Sequence, residues 1–415
     1  MKNIIEELFK LDRRLMGPGI DSALEFINHL IPLEIKEVPT GTELGTWKVP
    51  EEWVLRDAWV KFKGRKILDV KKVPLAVADG SIAFKGKMDL EELKKHLHTS
   101  DERQELTPYV YNFYEDDWGF CIPKYKYDKL KEGEYEVFVD SERKPGNLKY
   151  GVHTIKGKSD REILLFAHLD HPHQANDNLS GVACLVDLAK KVKCQHTVKI
   201  VFCPETIGSH AYAIKEDLSK VEFVIALDVV GNDNSLLMQK SFRGDARIDR
   251  VAGLALNELA KPFRKSVFRG DIGSDEYAFN DPNIGIPGIL FTTHPYDEYH
   301  TEADTPEKIH YPSIRHARDV ILKTIEIYEK DFIPHKLFKG QLMRSRYGVQ
   351  ALSKQMNFAS DYFFYNMDGQ KWLSQLCGDC GINFKYYYEL MEKLEKDGKI
   401  SRLSYSKEDL KEATK

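Results

Sequence analysis

At 415 residues the chain is too long for one simple core and suggests two or three domains, and 42% hydrophobic with 30% charged residues is the composition of a folded globular protein. A formal charge of −4 supplies no basic field for nucleic acid and no polybasic anchor for a membrane. No segment reaches the roughly 18 apolar residues of a membrane span, the N-terminus lacks the features of a signal peptide, and six thinly spread cysteines fit reduced thiols, so a cytoplasmic location is expected.

The N-terminus reads as an amphipathic helix followed by a second, "SALEFINHLI", which Pro32 closes. The segments "WVLRDAWVKFKG", "KILDVKKVPLAV" and "GSIAFKGKM" then alternate apolar and polar residues between Gly and Asp-Gly turns. They predict a small β-rich domain over residues 51–104, inserted into a larger domain of residues 1–50 plus 105–335. From about Tyr135 onward strands and amphipathic helices alternate: "YEVFVD", "EILLFAHLD", "SGVACLVDLAKKVK", "TVKIVFCPE", "FVIALDVVG", "GIPGILFTT" and "SIRHARDVILKTIEIYEKDF". This predicts an α/β fold, a mostly parallel mixed sheet flanked by helices, whose ligands bind outside the carboxyl ends of the strands.

Residues 340–415 have a different texture, with helix, turn at Gly381, helix and the β-like "KISRLSYS" outlining a winged helix-turn-helix. The candidate recognition helix "FKYYYELMEKLEKDG" carries Glu389, Glu392 and Glu395 among its lysines, so packing or homo-oligomer formation is expected of it before nucleic-acid binding. The Cys377-x-x-Cys380 pair has no second Cys/His pair nearby and reads as two small thiols rather than a zinc knuckle.

Chemistry gathers where the apolar strands stop. "ILLFA" delivers His168 and Asp170, "KIVFCP" delivers Glu205, "VIALD" delivers Asp228, and "GILFTT" is followed by His294 and by "YHTEADT" with His300. Imidazoles and carboxylates on one sheet edge are the ligand set of a catalytic zinc. Asp177 lies three residues before Ser180, a plausible N-cap, where free backbone N–H groups would keep it ionised and able to bridge two metals.

The order H-x-D, N-D-N-x-S-G, a strand-end Glu, L-D-x-V-G and Y-H-T-x-x-D-T resembles the co-catalytic zinc aminopeptidases, which include bacterial leucine aminopeptidases and glutamate carboxypeptidase, along about Tyr135–Phe332. "VPTGTELGTWKVPEEW", "HPHQANDNLSG" and "PETIGSHAY" resemble more closely a bacterial aminopeptidase-like group associated with polysaccharide biosynthesis, which shares the small insertion and the C-terminal winged helix. The resemblance implies one or two zinc ions held by His168, Asp177, Glu205, Asp228 and His300, with Asp177 bridging and Asp170 orienting His168. It implies Asp275 and Glu276, in "RGDIGSDEYAF", as binders of a substrate ammonium.

Two departures leave alternatives open. The family has adjacent glutamates, a base and a ligand, whereas Pro204-Glu205-Thr206 offers one, so Glu205 is either ligand or base. His171, in the His-Pro pair, is the alternative metal ligand to His168. The expected function is zinc-dependent hydrolysis of amide bonds in a peptide or N-acyl amine. A single-zinc amidohydrolase or cyclase and a catalytically silent binding protein are the alternatives.

Overall fold

The computed structural model describes residues 1–349 and 354–403. It divides into two compact units, Met1–Phe242 with Arg264–Arg318, and Arg243–Phe263 with the chain from Asp319 onward.

The first unit is built on an eight-stranded sheet. Its order is Glu34–Pro39, Asn147–Ile155, Thr197–Cys203, Glu162–His168, Val221–Asp228, Gly288–Thr292, Leu236–Gln239, Phe263–Ser266. The strands from Thr197–Cys203 to Gly288–Thr292 are parallel and the flanking pairs Glu34–Pro39/Asn147–Ile155 and Leu236–Gln239/Gly288–Thr292 antiparallel, the mixed sheet expected. The parallel strands read as continuous apolar runs because they are buried throughout, Ile163–Phe166 and Phe223–Leu227 being wholly inaccessible. Register brings their carboxyl ends level, His168 beside Cys203 and Asp228 beside Thr292. Polar side chains that begin where each strand stops are therefore neighbours in space.

One strand differs from its expected place. "YEVFVD" does not join this sheet. As Tyr135–Lys144 it pairs antiparallel with Glu52–Phe62 and Phe84–Met88 in a four-stranded sheet completed by Arg65–Asp69. Its alternating burial explains why: Tyr135, Val137, Val139 and Ser141 face a small core with Trp53, Val60 and Phe120, while the residues between them face outward. The β-rich unit thus draws a strand from well beyond residue 104.

The second unit contains the helices Arg247–Glu258, Lys354–Tyr365, Leu373–Cys380 and Phe384–Lys396. The strand Ile333–Lys336 pairs antiparallel with Ile400–Leu403. Gly381 takes the left-handed conformation (φ +62°) that closes Leu373–Cys380, and Asn383 caps the next helix by accepting the Tyr386 N–H at 2.9 Å. The remainder of the expected wing, from Ser404, lies outside the described residues. Asp331 is the unit's internal tie, accepting from Ser374 N–H at 2.8 Å, Ser374 Oγ–H at 2.7 Å and Arg247 Nε–H at 2.9 Å. Cys377 and Cys380 are free thiols on one helix.

The N-terminal segment positions the site through Arg13. Its guanidinium is fully buried and donates to the carbonyls of Leu8, Leu169, Asp170, His171 and Gln174 at 2.6–3.0 Å. Gly19 allows the helix Pro18–Leu30 to press against this segment, since a Cβ there would meet the Asp12 carbonyl oxygen at 1.8 Å. Burial lowers the Arg13 pKa to about 10, which leaves the side chain charged at neutral pH. Arg13→Met would leave these carbonyls without donors inside the protein, and a loss of about 3–5 kcal/mol is expected from the denaturant midpoint and slope. Stability like wild type would contradict the clamp.

Candidate metal centre

The site is the loop after Glu162–His168, threaded between strand ends. Leu169 to Gln174 hang from Arg13, and Asn176–Ser180 form one irregular turn before the helix Gly181–Ala189. Asn178 locks that turn to the sheet, donating to the Leu227 carbonyl at 2.6 Å and accepting from Val229 N–H at 3.2 Å. Asp304 holds its other end. Its two carboxylate oxygens accept from the N–H groups of Asn176 and Asp177 at 2.8 and 3.0 Å, and Tyr296 O–H donates to it at 2.9 Å.

These restraints bring together His168, His171, Asp177, Glu205, Asp228 and His300. His168 Nε2 lies 2.9 Å from Asp177 Oδ1 and 3.8 Å from Asp228 Oδ1. His171 Nδ1 is 3.0 Å from Asp177 Oδ1 and its Nε2 is 3.3 Å from Glu205 Oε2, while His300 Nε2 is 3.1 Å from Asp177 Oδ2. Several of these approaches are close but misaligned for hydrogen bonding: His171 Nδ1, Asp177 Oδ2, Asp228 Oδ1 and His300 Nε2 are buried without a hydrogen-bond partner. Buried polar atoms left so are costly. Atoms that converge without bonding one another fit a shared cation, and nitrogen and carboxylate oxygen are zinc donors. Two groups have ligand atoms all within 4.8 Å of one another, His168–His171–Asp177 and His168–Glu205–Asp228. His168 and His171 both stand in the cluster, and His300 reaches it through Asp177.

The electrostatics describe a pocket shaped for positive charge. Burial alone would depress the imidazoles, but Glu205, Asp228 and Asp177 raise His168 well above its usual pKa, and Asp177 and Glu205 do the same for His171. Asp177 resists the upward push of burial and is held well below the carboxylate range by His171, His168 and His300. Glu205 is held at about 2, against burial, by His168 and His171. Asp228 is raised well above its usual value by burial, and the like charges of Asp177 and Glu205 add to the rise. A divalent cation would relieve that repulsion.

Several expected roles move. Asp170 does not orient His168. It accepts Glu205 N–H at 2.8 Å and so fixes the Glu205 turn. The His168 Nδ1 side faces Asn178 Nδ2 at 3.3 Å, Ser274 Oγ at 3.4 Å and Asp275 Oδ2 at 3.7 Å. Asp275 and Glu276 are wholly buried: Asp275 accepts from Thr206 N–H through one oxygen while the other, without a hydrogen-bond partner, lies towards His168, and Glu276 accepts from Gln239 and Ser274 N–H, so neither is exposed to a substrate ammonium. Ser180 is not a side-chain cap: its hydroxyl donates to the Asn176 carbonyl, and Asp177 owes its ionisation to imidazoles rather than to a helix end. Arg13, Ser274, Tyr296 and Asp304 escaped the sequence reading, although Asp304 stands in the quoted "YHTEADT".

A cavity of about 270 Å3 opens beside Asp170, His171 and Glu205. A larger, open depression of about 860 Å3, lined by residues such as Asn232, Arg264 and Lys308, contains no member of the cluster.

With this geometry in view, the relatives are informative. A protein of Clostridium acetobutylicum, provisionally named a polysaccharide biosynthesis protein with an aminopeptidase-like domain, is 32% identical over 95% of this chain and 94% of its own. A crystal structure from Clostridium acetobutylicum, provisionally named a peptidase, superposes with a TM-score of 0.82 at 30% identity over 97% of this chain and 96% of its own. A zinc aminopeptidase of Bacillus subtilis shares the fold, with a TM-score of 0.60 at 16% identity over 78% of this chain and 93% of its own. The family described as the domain of unknown function DUF4910 matches residues 2–331. Matched over that span, and by a relative along nearly its whole length, the chain belongs to the DUF4910 family, on an aminopeptidase-type fold.

Proposed function

We propose that the protein is a zinc-dependent hydrolase of amide bonds, an aminopeptidase-like enzyme acting on a peptide or N-acyl amine. The observation that carries this reading is the set of buried, unpartnered ligand atoms on His171, Asp177, Asp228 and His300 around His168. The zinc aminopeptidase fold and the peptidase-like relatives support it. His168, Asp177 and Asp228 would hold the metal, with His171 beside them and His300 on the far oxygen of Asp177. A bound zinc ion supplies Lewis acidity towards a carbonyl oxygen and a lowered pKa for water.

Glu205 is the proton carrier in this reading. Its side chain keeps 20% of its surface and lines the cavity, whereas the Asp177 and Asp228 side chains keep 1% and 2%. It is ionised at neutral pH, and Ser274 O–H donates to it at 3.3 Å while Asp170 fixes its backbone. A carboxylate so placed takes a proton from water and returns it to the departing amine nitrogen. A one-metal centre has its own support, since His300 stands outside both three-ligand groups.

The C-terminal helices we assign to packing or self-association. The helix Phe384–Lys396 buries Phe384, Tyr387, Leu390, Met391 and Leu394, and its exposed Glu389 and Glu392 would repel phosphate. A cytoplasmic location is part of the proposal, supported by the free cysteines.

Zinc content measured by mass spectrometry, with turnover of a panel of aminoacyl and N-acyl amides, tests the assignment. Wild type should retain one or two zinc ions and hydrolyse at least one amide, and Asp177→Ala should lose both metal and turnover. Glu205→Gln should keep its zinc and lose about 100-fold or more in kcat, as removal of a general base does. Full zinc in Asp177→Ala would overturn the centre, and unimpaired Glu205→Gln would remove Glu205 from proton transfer.

A further inference from the structure

The 270 Å3 cavity joins the polar Asp170, His171 and Glu205 to an aromatic group, Trp47, Tyr111 and Phe113. The segment that supplies Tyr111 and Phe113 is pinned onto the loop bearing His300. Tyr109 N–H donates to the His300 carbonyl at 2.8 Å, and Thr107 N–H to the Glu302 carboxylate at 2.6 Å. On its other side Asn112 N–H donates to the Asp79 carbonyl at 2.6 Å, and Asp79 N–H to the Val110 carbonyl at 2.8 Å. Asp79 is itself wholly buried, ion-paired with Arg14, and accepts from Tyr109 O–H at 3.3 Å. The aromatic side of the cavity is therefore preorganised.

Tyr111 stands out within it. The residue is 57% exposed and its ring packs loosely on Phe113, with centroids 5.9 Å apart and planes 19° apart. A large ring so exposed contributes little to the core, and at the mouth of a fixed cavity it supplies ligand contact at low entropic cost. Charge narrows the ligand further. Carboxylates of Asp170, Glu205 and Glu115 line the cavity, and among the described residues no lysine or arginine does, so an acidic side chain at the aromatic end finds no basic side chain to pair with.

We propose that this cavity receives a bulky, uncharged apolar side chain flanking the scissile amide, and that Tyr111 is a specificity-determining residue. Cleavage of that amide rests on the hydrolase reading; recognition of the apolar group does not require turnover. Trp47 and Phe113 provide apolar surface behind Tyr111, and the polar rim leaves the amide beside Glu205.

The test is calorimetric titration of the zinc-loaded full-length protein with N-acetyl-phenylalaninamide, N-acetyl-glycinamide and N-acetyl-glutamic acid amide. The phenylalanine compound should bind at least about tenfold more tightly than the glycine one, the scale of one good aromatic contact, and the glutamic acid compound most weakly. Tyr111→Ala should cut the phenylalanine preference to about threefold or less with zinc content unchanged, and Tyr111→Phe should keep it. Equal affinity for phenylalanine and glycine, tight binding of the acidic compound, no binding of the phenylalanine compound, or an undiminished preference in Tyr111→Ala would each overturn the proposal. Selective binding without hydrolysis of any amide would instead count against the hydrolase reading alone.

Discussion

One carboxylate, Asp177, organises the centre. Three imidazoles approach it at 2.9, 3.0 and 3.1 Å, from His168, His171 and His300, and it is 1% exposed. A buried charge is tolerable only where its surroundings are fixed in advance. The rest of the first unit can be understood as the means of fixing them: parallel strands that stop level, Asp304 holding the backbone of Asn176 and Asp177, and Arg13 holding the loop before it.

The stabilising and the chemical roles fall to different residues. Arg13 and Asp304 touch backbone in the loop that supplies the cluster rather than its side chains. Asp304 also carries a price: burial raises its carboxyl to about 7, a rise strengthened by the nearby Asp177 charge. Its folded pKa exceeds the unfolded value, so its ionisation opposes the fold as pH rises through neutrality. Asp170 and Asp275 do similar positioning work, one on the Glu205 turn and one between His168 and Thr206.

Much of this was legible in the sequence, for a physical reason. Parallel strands buried on both faces must be continuously apolar, so the point where "ILLFA" or "VIALD" turns polar marks the sheet edge, and His168, Asp177, Glu205, Asp228 and His300 do meet there. Positioning was less legible. Arg13 in "LDRRL" is indistinguishable from a solvated arginine, because apart from the nearby Leu8 carbonyl its partners are carbonyls more than 150 residues away. Asp275 and Glu276 were expected at a substrate ammonium on the resemblance of "RGDIGSDEYAF" alone, yet both are wholly buried. The misplaced strand did leave a signal. In "YEVFVD" Glu136 and Asp140 stand at alternate positions between Tyr135, Val137 and Val139, closer to the pattern of an antiparallel sheet with one wet face than to its continuous neighbours, although Phe138 interrupts the alternation.

The central claim is that these converging ligand atoms form a zinc site. Anomalous diffraction collected on both sides of the zinc absorption edge, from crystals grown with zinc, tests it most directly. The account predicts a peak within about 2.0–2.2 Å of His168 nitrogen and of carboxylate oxygens from Asp177 and Asp228. A fully occupied zinc elsewhere, with those three side chains bonded only to one another, would contradict it.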